Sequence, residues 1–116
     1  MKSRIKNITI KCRPLPGDSI PCRVLVSVVC SFIFLDQTFC IHRPIKNIRD
    51  DLSNRYHFIT LKKGWSCSHY LTGKRIPLSG NPLTIKAAKC RAMERLTDFI
   101  DNHGKETLIS LLSQKD

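Results

Sequence analysis

The groups in this chain that can do chemistry are six cysteines (Cys12, Cys22, Cys30, Cys40, Cys67 and Cys90), four histidines and a large excess of cations. Cys40-Ile41-His42 and Cys67-Ser68-His69 repeat a Cys-x-His pair, and residues two apart on a strand share a face. On adjacent strands with the pairs facing each other, the four side chains would converge as a Cys2His2 zinc set. Structural zinc sites use looser knuckle spacings, and buried thiols beside ordinary histidines fit the same pattern, so no metal or other cofactor is assigned. No C-x-x-C pair occurs and several cysteines lie inside apolar runs. The expectation is therefore reduced core thiols rather than three disulfides.

Groups suited to catalysis are sparse. Asp50-Asp51 are expected on the solvated face of a short helix, Asp98 and Asp101 follow Arg95 at helical spacing, and the sequence has neither a Gly-rich phosphate loop nor a nucleophile elbow. A thiol nucleophile with a histidine partner stays open, because such partners are neighbours in space rather than in sequence. The chain is expected to bind rather than to catalyse.

The charge balance is the strongest signal. Twenty Lys and Arg against nine Asp and Glu give a net charge of +11 and a pI near 9.8, which attracts phosphate polyanions, anionic membranes or acidic protein surfaces. From Arg55 to Arg95 there are nine basic residues and one acidic residue, Glu94. Lys62-Lys63 and Lys74-Arg75 fall at turn signals, and Lys86 and Lys89 fall in the first turns of the clearest helix. A lysine there opposes the helix dipole by a few tenths of a kcal/mol unless an anion is bound. Lys62, Lys63, Lys74, Arg75, Lys86 and Lys89 are therefore the candidate binding residues, expected to form one continuous patch. Aromatics among cations can stack bases. Of those near the patch, Trp65 is expected to pack in the core and Tyr70 to lie at the surface beside the cations.

The elements that must position these residues follow from periodicity. Residues 4–12 alternate as a first strand, followed by a turn with Pro14, Pro16, Gly17, Asp18 and Pro21. Residues 23–35, rich in Val, Phe and Ile, read as one long central strand. At twelve uncharged residues, the run 24–35 is short of the roughly 20 that cross a bilayer. It begins too far from Met1 for a secretory signal, so a cytoplasmic location is expected. Residues 39–42 complete an antiparallel meander. Ile45, Ile48 and Leu52 after Pro44 have helical spacing and predict a short amphipathic helix. Strands follow at 56–61 and 65–70, with a sixth at 74–76. Thr84 caps a helix with Ile85, Ala88, Ala92, Leu96, Phe99 and Ile100 on one stripe, and Gly104 ends it. Residues 108–112 add a final helical turn or two.

From Pro44 to Asn102 this order, helix, three short strands and a second helix with basic residues at its start, resembles the double-stranded-RNA-binding domain. Lys86-Ala87-Ala88-Lys89-Cys90-Arg91-Ala92 is similar to the Lys/Ala pattern opening that family's second helix. The resemblance implies that these lysines grip phosphates across an RNA groove. Ile85 stands where the family's second lysine would be, and its Gly-Pro-x-His loop has no counterpart. The segment Trp65-Ser66-Cys67-Ser68-His69, Thr72-Gly73 and the helix from Thr84 to Leu96 is also similar to small accessory proteins of phages and prophages. That likeness implies a class that binds host machinery, including anti-CRISPR inhibitors of defence complexes.

These observations predict a single domain over 1–116 of the α+β class, an antiparallel sheet of five to six strands with two or three helices packed on one face. The expected function is non-enzymatic binding of nucleic acid or a nucleoprotein complex through the Lys/Arg patch. The alternative is a phage or mobile-element inhibitor of a host defence complex acting by direct protein-protein contact. No membrane partner is expected.

Overall fold

The computed structural model of the chain describes residues 6–12, 22–49, 52, 56–78 and 80–113. The breaker-rich turn of residues 13–21, Asp50-Asp51 and Arg55 lie outside them. The α+β class is observed, and the described residues form eight antiparallel strands and two helices in the order β1 (Asn7–Cys12), β2 (Cys22–Ser27), β3 (Cys30–Phe34), β4 (Gln37–His42), β5 (Ile45–Arg49), β6 (Tyr56–Thr60), β7 (Ser66–His69), β8 (Arg75–Ile76), α1 (Ile85–His103) and α2 (Lys105–Ser113). The expected single sheet is instead three: β1-β2, β3-β4-β7-β8 and β5-β6.

Two bends cause the split. The long strand expected over 23–35 breaks at Val28 and Val29, whose N–H groups donate to opposite neighbours, Lys6 O at 2.8 Å and Ile41 O at 3.0 Å. Its first half pairs with β1 and its second with β4, so the meander survives in bent form. The chain bends again at Arg43-Pro44, between β4 and β5. Proline has no N–H to continue a ladder.

The second correction concerns residues 45–49, which form a strand rather than the expected helix. Ile45 is buried, Ile48 half-buried and Leu52 fully exposed, so the helical spacing marks no apolar face. β6 pairs with β5 from Ile45↔Thr60 to Arg49↔Tyr56, and Leu61 N donates to Pro44 O at 2.8 Å. An isolated helix of two turns is marginal in water, and this ladder satisfies the same backbone groups. The helix that opened the element order shared with the RNA-binding domain is thus absent at that position.

β4 is buried on both faces and divides two cores. Phe39 and Ile41 join Phe32, Cys67, Ala88, Ala92, Leu96, Leu108 and Leu112 beneath the helices. Cys40 faces the other way, into a smaller core with Ile8, Ile10, Val26 and Ile45. The helix reading holds in detail. Thr84 Oγ1 accepts Ala87 N–H at 3.0 Å, Ala88, Ala92 and Leu96 are the buried stripe, and Gly104 at φ 91° closes α1 with its N–H on Ile100 O. Among the described residues, no helix is long and apolar enough to cross a membrane.

Candidate nucleic-acid interface

Lys62 and Lys63 are exposed in the turn between β6 and β7, and this turn is fastened to the loop that leads into α1. Trp65 N donates to Pro82 O at 3.0 Å. Gly64, at φ 81°, holds a left-handed conformation that favours glycine, and the Asn81 side chain packs into the space a Cβ would take. Arg43 completes the fastening: its guanidinium lies 3.6 Å above the Trp65 ring, a cation–π contact, and Nη1 donates to Gly64 O at 3.0 Å. The turn carrying the lysine pair is therefore held beside the loop that leads into α1, whose first turn carries Lys86 and no acidic residue. Lys86 is exposed and Lys89 half-buried. Both line a shallow depression with Cys30, Ile85, Cys90 and Met93.

Tyr70, Lys74 and Arg75 lie elsewhere. β7 has four residues, so the turn holding Tyr70 is separated from the Lys62-Lys63 turn by the strand's length, about 13 Å at 3.3 Å per residue. Tyr70 is at the surface, as expected, while Trp65 is half-buried against the main core. Lys74 Nζ donates to the Leu111 carbonyl in the last turn of α2, fastening β8's approach to that helix. Arg75 Nη2 donates to Ile45 O at 3.3 Å. The four turn cations, Lys62 and Lys63 against Lys74 and Arg75, are thus divided between the two ends of the β7 hairpin. Strand length sets this division, because consecutive turns of a meander fall at opposite ends of the strand between them.

Helical geometry divides α1 as well. At about 100° per residue, Lys89 and Arg91 point to opposite flanks. The Arg91 guanidinium lies near Gly80, while Lys86 and Lys89 border the depression beside β3. Arg95 borders a separate groove with Lys74 and Arg75. Sequence reasoning missed Arg43 and Arg95 as members of these sites. A hint for Arg43 was available, since an arginine beside a strand break can stack on an exposed indole, but nothing local names Trp65 as its partner.

The Cys-x-His pairs lie on adjacent strands yet do not converge. The register puts Cys40 opposite Ser68 and Ile41 opposite Cys67, and directly opposed residues share a face. Cys40 and His42 therefore project from one face, Cys67 and His69 from the other. Among the described residues, no group of three or more His, Cys, Asp or Glu side chains could hold a metal ion. His42 and His69 are satisfied as neutral rings. His42 Nδ1–H donates to Arg43 O and Nε2 accepts from Ser68 Oγ, both at 2.8 Å. His69 Nε2–H donates to Gln37 Oε1 and Nδ1 accepts from Thr72 Oγ1, also at 2.8 Å. Burial pushes both imidazoles below their ordinary pKa, helped by Arg75 at His42 and Lys74 at His69. The Ser68–His42 hydrogen bond has the partners of a nucleophile pair, but both residues are wholly buried, and the carbonyl on Nδ1 holds the ring as a structural bridge between β4 and β7.

Comparison with family models, curated proteins and solved structures finds no match to this chain.

Proposed function

We propose that this protein is a non-enzymatic binder of nucleic acid, or of a nucleoprotein complex, and that its contact edge is built from Lys62, Lys63, Lys86 and Lys89. The observation carrying this reading is the fastening of the Lys62-Lys63 turn to the loop before α1 through Trp65, Gly64 and Arg43. A rigid support lowers the entropy of presenting lysines to a polyanion. The dipole of α1 adds positive potential at the same edge. Phosphate contacts of this kind position a chain on nucleic acid without reading sequence, so duplex and single-stranded DNA and RNA are all substrates for the test. Fluorescence anisotropy with labelled oligonucleotides across a salt series measures it: Lys62→Glu with Lys63→Glu weakens binding and flattens the salt dependence. Equal binding by the folded variant refutes the assignment.

A second reading, inhibition of a host defence complex by protein-protein contact, is favoured by one specific observation. The ammonium of Lys74 is engaged by Leu111 O beside an apolar groove, and apolar walls suit a protein partner better than a phosphate backbone. Such an inhibitor retains no free nucleic acid at physiological ionic strength, which separates the two readings.

A further inference from the structure

The groove between β8 and the two helices has a volume of about 210 Å³. Its walls are Ile76 and Pro77 after the Tyr70 turn, Leu96 and Phe99 of α1, and Leu108 and Leu112 of α2. Lys74 and Arg95 stand at its border and Arg95 is exposed, whereas Arg75, opposite Ser68 in the register, sends its guanidinium to Ile45 O on the other face of the sheet. Leu111, 37% exposed, adds an apolar lip.

Size and charge together select the occupant. Pockets for drug-sized molecules are about 300–1,000 Å³, so this groove is too small to enclose one or to bury a fatty acyl chain. It is suited to a single large side chain, the way interfaces seat aromatic or aliphatic anchors in desolvated pockets. Phosphates gain nothing from aliphatic walls. Cations at the border of an apolar pocket, on a chain of net charge +11, complement carboxylates.

We propose that this groove binds an acidic protein segment, seating one large apolar side chain between α1 and α2 while flanking Asp or Glu residues meet Arg95 and the Lys74 ammonium at its border. The inference is independent of nucleic-acid binding, because Lys62, Lys63, Lys86 and Lys89 take no part in it.

Selection of displayed random short peptides against the full chain tests it, followed by fluorescence polarisation on the enriched peptides as synthesised. The expected consensus is an aromatic or Leu residue flanked by Asp or Glu. Arg95→Glu and Leu111→Gln, each checked by circular dichroism, should weaken those peptides by about tenfold or more. Amide shift mapping on the unsubstituted chain should place them at Leu96, Phe99 and Leu108, which decides the matter even where a variant fails to fold. Failure to enrich any consensus, a basic consensus, shifts away from the groove, or peptides indifferent to both folded variants would each overturn the proposal. So would displacement of the peptides by laurate or by an oligonucleotide at the same residues, which would assign the groove to a lipid or to nucleic acid.

Discussion

Acidifying the protein from pH 7 to pH 5 should destabilise it through His42 and His69. Each neutral ring donates from one nitrogen to an oxygen that only accepts and takes a hydroxyl proton on the other. A second ring proton would have to face a hydroxyl already committed as donor, in a buried site with Arg75 or Lys74 nearby. The folded-state pKa of both therefore lies below the ordinary 6.5. As pH falls through 6.5 the unfolded chain takes up protons that the folded chain refuses. The stability contributed by the neutral rings is complete above that pH and lost below it, levelling off where the folded histidines themselves titrate. The limiting slope within the window is about 1.4 kcal/mol per pH unit for each histidine, about 2.8 for the pair. With a urea m-value of about 2 kcal/mol/M, the unfolding midpoint falls by up to about 1.4 M per pH unit. Urea titrations followed by Trp65 fluorescence measure this, and His42→Gln or His69→Gln should each halve the slope. A midpoint flat across this range, or a slope unchanged in both variants, would show that these histidines are not held neutral.

Two further outcomes test the packing. Ala88→Asp or Leu96→Asp buries an unpaired charge on the stripe facing β3, β4 and β7, costing about 3–5 kcal/mol, so cooperative thermal melting should be lost; a retained melt would place the core on another face. Among the cysteines whose side chains are described, native alkylation should label exposed Cys90 first. Cys40, whose thiol burial and the nearby Cys30 raise to about 11, and Cys67, raised still further by burial, should react only after unfolding. Intact mass without reductant should show no disulfide, and a chelator should leave the melting temperature unchanged; a metal-dependent melt would contradict the opposed faces of the Cys-x-His pairs.

The parts of the fold legible in the sequence are those governed by local rules. Thr84 and Gly104 bound α1 because capping chemistry is local, and the Ala88, Ala92, Leu96 stripe follows from a period of 3.6. Trp65 packs on the main core and Tyr70 is exposed in the turn after β7, although alternation is not the reason, since Ser68 on the expected outer face is wholly buried. What escaped is non-local. Ile45 and Ile48 satisfy helical spacing, and only β6 turns them into a strand. Nothing near Val28 announces that its N–H and that of Val29 serve different neighbours. The relative placement of the cations depended on the length of β7 and on the far end of α2, where Leu111 O receives Lys74. Sequence proximity grouped Lys62, Lys63, Lys74 and Arg75, whereas the length of β7 separates Lys62 and Lys63 from Lys74 and Arg75.

We propose that Lys62 and Lys63 of the β6–β7 turn, with Lys86 and Lys89 of α1, meet phosphates. The most direct test is the slope of log affinity against log salt for an oligonucleotide, compared between the natural chain and a variant carrying Lys62→Glu, Lys63→Glu, Lys86→Glu and Lys89→Glu. Each duplex-DNA phosphate contact contributes about 0.9 to the slope and each single-strand contact about 0.7. Four contacts predict a slope near −3.6 on duplex DNA that collapses toward zero in the variant, while Lys74→Glu leaves it nearly unchanged. A folded variant with the natural slope, or a natural chain that retains no nucleic acid at low salt, would contradict the claim.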